Sequence, residues 1–489
     1  MKKLLTTLLY LTLLFTTVTP VFAVTNQTTI SNEAKEHILN ELSRANIPNA
    51  AIAVIQNGET SHILKNSEHD TIFQIGSVAK SFTGFGVLLL EDMGLLSVSD
   101  PINQHLPWFE VRYNGELVPH EDITIYTLLQ HSSGFTSDQR RFPSLVSELS
   151  QDELIRQLTG IELAFYPSEG HVYGNVNYVI LGMIIEAVSG QSFDYFMTQN
   201  VLHPLGLYNT YTNVGHAYDT GRVIGGHRLG FLSPRPTDSQ WSSHTMPSGG
   251  IYSSVSDIAR WAGIHLGTIE VSEQFARIVQ RSHENNHTSP NPFAETDFYA
   301  AAGWNVLLRD DIFENGKILH AGSSFGYIAY VGLIPERDMA VVFLSNVRHM
   351  NVVQWVFLLW DAVDGEYLNR AGTDPFVIID IIFAVLTGVG ILFIGLFIRL
   401  AVKIGKNLRN GEKAKPKLRI RWLVGLIPSI IGLLFFYVIA PMLFAMPLST
   451  IILLSPASIN AAIVAVWIIV AYSLFSLLAK VFVNPRAGN

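Results

Sequence analysis

The residues with the most chemical potential in this chain of 489 residues are a serine and a lysine one helical turn apart, Ser77-Val-Ala-Lys80. A hydroxyl at the start of a helix lies at the positive end of the helix dipole, and a side chain three residues on shares its face. An amine placed there can take the hydroxyl proton, the least that an activated serine nucleophile requires. Two other clusters could complete such a site. Tyr173-Gly174-Asn175 offers a phenol and an amide ahead of an apolar stretch, and His320-Ala321-Gly322-Ser323 offers an imidazole and a second polar strand. The competing reading makes Ser77 a helix cap, Lys80 a solvated residue, Tyr173 a core aromatic and Asn175 another cap. Ser-x-x-Lys alone does not decide between them, because it arises by chance about once in a chain of this size.

A different chemistry is spelled by His283-Glu284-Asn285-Asn286-His287, which matches the zinc-protease pattern H-E-x-x-H letter for letter. That chemistry needs both histidines on one helical face and a third ligand. Here the stretch is polar and runs into Thr288-Ser-Pro-Asn-Pro292, so it reads as an exposed loop and no metal is assigned. His131, in a His-Ser-Ser-Gly turn, reads as a loop anchor, and Asp257 as an acid in the first turn of a helix.

Positioning the three clusters requires particular elements. The apolar segment from Ser77 to Leu96 predicts a buried helix, and Val176 to Val188, closed by Gly190, predicts another. Ile38, Leu39 and Leu42 give an earlier amphipathic helix that Ser31 could cap. Ala50 to Gln56 and Ser61 to Lys65 flank Asn57-Gly58 as a hairpin, and Gly303 to Arg309, Tyr327 to Leu333 and Met339 to Ser345 read as strands. Strands at both ends with helices between them predict an α+β domain, one antiparallel sheet assembled from distant segments with a helical insertion.

The order Ser-x-x-Lys, Tyr-x-Asn, His-x-Gly, with spacings of 96 and 147 residues, resembles the serine β-lactamase-related family of class C β-lactamases, D,D-peptidases and related esterases. Further blocks extend the resemblance over roughly residues 30 to 370. They are Phe73-Gln-Ile-Gly-Ser77, Leu128-Leu-Gln-His-Ser-Ser-Gly134, Tyr173 to Gly182, Pro247-Ser-Gly-Gly250 to Asp257, and Gly326-Tyr327 to Leu344-Ser-Asn346. The resemblance implies a sheet flanked by helices, a mostly helical second lobe, and a site between them. It also implies roles: Ser77 as nucleophile, Lys80 and Tyr173 sharing the proton, and Asn175 bonding the substrate or Lys80. The N–H groups of Ser77 and Ser323 would form the oxyanion hole, with Gly322 allowing close approach to the strand; no cofactor is implied. Class C enzymes carry lysine where this chain has His320. A histidine of ordinary pKa is mostly neutral at pH 7, which weakens attraction for a substrate carboxylate and favours esters or D-amino-acid peptides over efficient β-lactam hydrolysis. Gly174, where many relatives have serine, is a milder departure.

The ends of the chain are of other material. Met1 to Ala23, with Lys2, Lys3 and a short apolar run, reads as a cleaved secretory signal. Phe376 to Ile398, Trp422 to Met446 and a stretch from Ile459 to about residue 479 each predict a membrane helix. The segment 399–421 between the first two carries nine lysines and arginines against Glu412, and reads as a cytoplasmic loop. Charge and signal together predict a multi-pass protein of the cell membrane with its catalytic domain, residues 24–372, outside the cytoplasm. Residues 24–375 hold 38 acids against 19 bases, which excludes electrostatic binding of nucleic acid. There is no cysteine, hence no disulfide. The reading is a membrane-anchored serine hydrolase acting through an acyl-enzyme on an ester or D-amino-acid-containing peptide of the cell envelope. The alternative is a penicillin-binding or sensor-like protein that binds or acylates without efficient turnover and signals to a membrane protein partner. The loops Arg140 to Pro167 and His216 to His244 would shape the pocket.

Overall fold

The computed structural model describes residues 30–135, 148–237, 241–284, 298–307, 318–348, 352–365, 374–410, 426–443 and 448–482. The expected signal, residues 1–23, lies outside them. The strands of the main sheet are β1 (Ala50–Gln56), β2 (Glu59–Lys65), β3 (Phe298–Ala300), β4 (Asn305–Leu307), β5 (Ile318–Ser323), β6 (Ile328–Ile334) and β7 (Met339–Ser345). They form one seven-stranded antiparallel sheet in the order β3-β4-β5-β6-β7-β1-β2. The two ends of the domain therefore meet at its centre, β1 pairing with β7 from Ala50↔Ser345 to Gln56↔Met339. Asn57 and Gly58 both adopt positive φ, as a tight two-residue hairpin turn requires.

The sheet is covered on both faces, which explains the continuous apolar runs of β6 and β7. Alternation along β1 assigns its residues to two cores. Ala50, Ile52 and Val54 face helices α1 (Asn32–Arg44) and α5 (Val352–Val363), while Ala51, Ala53 and Ile55 face the helical lobe. Ser31 caps α1, its Oγ accepting from the Ala34 N–H at 3.0 Å.

That lobe is built around α2 (Ala79–Asp92), α3 (Asn175–Ser189) and α4 (Val255–Leu266). The helix expected from Ser77 to Leu96 is shorter than the apolar pattern. It opens as a single 3-10 turn at Gly76–Val78, and it ends at Asp92 because Gly94 takes the left-handed conformation. Every residue from Ala79 to Leu90 is buried. Glycines let other backbone approach this helix: a Cβ on Gly84 would lie 2.4 Å from Ala302 O, and one on Gly303 2.2 Å from Lys80 O. Helix α3 ends as expected at Gly190, φ 68°.

Beyond the domain, α6 (Pro375–Arg409) and α7 (Ser458–Phe482) contain two segments long and apolar enough to cross a membrane, Pro375–Asn407 and Ser458–Ala479. They pack closely, Gly390 leaving room for Ala465. The middle span expected at 422–446 differs. Among the described residues its apolar helix, Ser429–Leu443, is shorter than the other two and is interrupted by a π turn at Phe435–Ile439. Pro441, which has no N–H to give the preceding turn, accompanies the interruption. Residues 422–425 and 444–446 lie outside the described residues, as do 411–421 of the basic segment. Arg399, Lys403, Lys406 and Arg409 are part of α6 itself, which continues as helix past Ile398.

Candidate active site

The turn Gly76–Val78 presents Ser77, and the first turn of α2 presents Lys80 behind it. Lys80 is fully buried. Its Nζ lies 3.2 Å from Ser77 Oγ, 2.8 Å from Asn175 Oδ1 and 2.5 Å from the Ser248 carbonyl oxygen. Burial moves the amine pKa well below its ordinary value. Two of its partners, an amide oxygen and a peptide oxygen, can only accept. They fix Nζ in place beside the Ser77 hydroxyl, whose Oγ is its third partner.

Tyr173 completes this group from the other side. Its ring centroid is 4.8 Å from Lys80 Nζ, and its hydroxyl shares a hydrogen bond with Ser77. The residue is 40 % exposed, yet the protein around its hydroxyl desolvates it. Enclosure raises the phenol pKa above its usual value, with the Ser77 contact pulling the other way. The Tyr173 loop is pinned by buried His131, whose Nδ1 accepts from the Gly174 N–H (3.3 Å) and from Asn177 Nδ2 (2.8 Å). Asn177 Oδ1 in turn accepts from Ser133 at 2.6 Å. His131 therefore anchors the loop, as the His-Ser-Ser-Gly turn predicts. Burial, followed by the charge of Lys80, keeps its imidazole neutral.

Strand β5 forms the third wall. Its ladder with β4 ends at Leu319, leaving residues 320–323 facing the Ser77 turn. Here two missing side chains set the geometry. A Cβ on Gly322 would sit 2.0 Å from Ile75 O and 3.0 Å from Ser77 N; one on Gly76 would sit 2.7 Å from Ser323 N. The close approach that Gly322 permits is thus made by the chain's own backbone, and it brings the N–H groups of Ser77 and Ser323 together. His320 is buried, with its Nδ1 2.8 Å from Gly303 O and its ring 6.3 Å from that of Tyr173. A carbonyl partner fixes the proton on Nδ1. Burial first, and Lys80 second, push the pKa down to about 3, so the position carries no cation at neutral pH.

All seven residues singled out in the sequence, Ser77, Lys80, Tyr173, Asn175, His320, Gly322 and Ser323, converge on this one cleft. The Ser248 carbonyl was not among them, because a backbone acceptor has no residue-type signature; the Pro247-Ser-Gly-Gly250 block was its only trace. Asn177 was missed for the same want of a distinctive type. The zinc-like stretch resolves differently from its sequence reading: His283 packs inward, 2.9 Å from Nδ1 of buried His265 and against Trp304. Residues 285–287 lie outside the described residues. Asp257 accepts from the Asn209 N–H and the Thr210 hydroxyl, tying a loop to the start of α4.

The family model described as Beta-lactamase matches residues 34–356. The chain belongs to the serine β-lactamase-related family. Within that family, Protein flp of Staphylococcus aureus (strain COL) is 27% identical over 338 residues, which are 65% of this chain and 64% of that protein. The chain thus spans slightly under two thirds of the length of this curated relative. The Beta-lactamase of Escherichia coli (strain K12) is 25% identical over 351 residues, 63% of this chain and 87% of the relative. Solved class C β-lactamases share the fold, with TM-scores of 0.57 and 0.56 at 18% and 17% identity, covering 68% and 67% of this chain and 97% and 96% of theirs.

Proposed function

We propose that this protein is a membrane-anchored serine hydrolase that works outside the cytoplasmic membrane through an acyl-enzyme on Ser77. Its substrate class is an ester or a D-amino-acid-containing peptide of the cell envelope. The observation that carries the reading is the buried Lys80 amine, fixed by two acceptors and aimed at Ser77 Oγ. In acylation, Oγ bonds to the substrate carbonyl carbon while its proton passes to Lys80 Nζ. The carbonyl oxygen, now anionic, is received by the N–H groups of Ser77 and Ser323. Tyr173 gives its phenolic proton to the departing alkoxide or amine and is reprotonated from Lys80. Water then attacks the acyl carbon by the reverse proton route, and Ser77 leaves with its proton restored.

Tyr173, whose phenol pKa is raised by burial, and His320, whose imidazole pKa is pushed down to about 3, are both uncharged at pH 7. An uncharged wall of this kind favours substrates without a carboxylate at that end, in contrast to a site with a lysine in place of His320. Among the described residues no strand pairs with β5 at 320–323 on the β4 side, and such an edge suits a substrate with a peptide-like backbone.

The test is to treat the full chain in detergent or bilayers with a fluorophosphonate probe and with a labelled penicillin, then map adducts by mass spectrometry. A fluorophosphonate adduct on Ser77, lost in Ser77→Ala with folding intact, is the expected result. Stable penicillin labelling without turnover would instead favour a penicillin-binding sensor, and no adduct on folded protein would remove the acyl-enzyme mechanism.

A further inference from the structure

The sequence places one acid, Asp380, inside an otherwise apolar span, and the structure gives it a specific use. A small hairpin of the catalytic domain, Gly226–Gly230 paired with Ser233–Thr237, projects its turn onto α6. The Asp380 carboxylate accepts from the Phe231 N–H at 3.0 Å and from the Leu232 N–H at 2.5 Å, and also from the Ser458 hydroxyl at the start of α7. Asp380 and Ser458 are both fully buried. The hairpin is fastened at two more points: the Ala457 N–H donates to Leu229 O, and the Arg228 guanidinium donates to Ile452 O.

What this contact leaves outward is the opposite of what a water-facing turn carries. Phe231 and Leu232 both have positive φ, at positions where Asn-Gly or Asp-Gly is usual, and they are 45% and 51% exposed. Ile381 and Ile382, the two residues that follow Asp380 on α6, are exposed as well. Asp380 lies five residues past Pro375, about 7.5 Å along the helix from the start of the apolar segment. A turn at that depth is confronted with hydrocarbon, where backbone N–H groups need a partner from the protein itself. Asp380 supplies it to both.

We propose that the Phe231–Leu232 turn is a lipid-embedded hook, inserting its two apolar side chains among the acyl chains of the leaflet on the catalytic domain's side. Continuity with the apolar surface of α6 identifies lipid as the occupant. The hook rests on the membrane reading of α6 and α7. It also reaches the cleft: the His227 N–H donates to Gly326 O and to Asn346 O, and Tyr327 Oη donates to Ile224 O. The loop that follows β5 is thereby tied to a fixed height above the bilayer.

The absence of cysteine makes the test clean. Phe231→Cys and Leu232→Cys, each labelled with an environment-sensitive fluorophore in the full chain, are reconstituted in phosphatidylcholine vesicles. Ile382→Cys on α6 and Leu117→Cys on the helical lobe serve as lipid and water references. Acyl-chain nitroxide lipids should quench positions 231 and 232 about as strongly as 382 and several-fold more than 117, with iodide showing the reverse order. Asp380→Asn should lower lipid quenching at 231. Iodide quenching at 231 and 232 while 382 remains lipid-quenched overturns the hook alone, and loss of lipid quenching at 382 as well overturns the membrane reading with it. The unmodified chain offers an independent check with a diazirine-bearing phospholipid. Adducts within 226–237 are expected; adducts confined to the helices overturn the proposal.

Discussion

The cleft and the membrane junction each bury one titratable side chain completely, and the two are solved in opposite ways. Lys80 has two partners that only accept and a third, Ser77, whose proton it can take. Asp380 has three partners that donate, two of them backbone N–H groups that take no part in chemistry. A buried group with one reactive neighbour becomes a reagent; a buried group with only fixed neighbours becomes a fastening. The difference lies in the partners rather than in the depth of burial, which is the same.

Breaking the reagent has the largest expected effect. Lys80→Met should reduce the rate of Ser77 acylation by roughly 10²–10⁴, the range for loss of a positioned base, with the fold intact by circular dichroism. Near-normal rates of probe labelling would move the base to Tyr173. Acid comes next. His320 is depressed to about 3 and His283 to about 4, while His131 and His265 are also held well below the ordinary value, all chiefly by burial. An unfolded histidine protonates near 6.5, so between the two values the unfolded chain binds more protons and the native state weakens as pH falls. From pH 6.5 to 4.5, His320 alone should cost the native state roughly 2–3 kcal/mol, read as a falling denaturant midpoint. A flat midpoint over that window would contradict buried neutral histidines.

Smaller effects sharpen the contrast. His320→Lys restores a cation to the cleft and should raise acylation by carboxylate-bearing β-lactams about tenfold relative to a neutral ester, the lower end of what a charged hydrogen bond contributes. Equal change for both substrates would detach His320 from carboxylate selection. Asp380→Asn should leave turnover of a small soluble ester unchanged, since a fastening is not a reagent. It should nevertheless lower the temperature at which the full chain unfolds in detergent, and a turnover loss matching that of Lys80→Met would erase the distinction.

What was legible in the sequence follows the same division. Reactive side chains have types and an order, so Ser77, Lys80, Tyr173, Asn175 and His320 could be read, as could the sheet built from distant strands. Backbone partners have neither, so the Ser248 carbonyl and the N–H groups of Phe231 and Leu232 were silent. The hairpin itself escaped because Gly-His-Arg-Leu-Gly and Ser-Pro-Arg-Pro-Thr show no alternation of β-formers, and Pro234 and Pro236 are tolerated only because the ribbon has a free edge. Ser77 was expected at the N-terminus of an α-helix and lies in a tighter turn, since Gly76 at φ 52° bends the chain just before it. The middle membrane segment was read by hydropathy, which does not register the break near Pro441.

The face-to-face contact of Gly76 with Gly322 has one more consequence. The separation of the two N–H groups in the cleft is gauged by the thickness of bare backbone, with no rotamer in between. Side-chain motion around the pocket therefore does not alter that gauge, and neighbouring positions such as His320 are free to change which acyl group enters while the spacing that receives its oxygen stays the same.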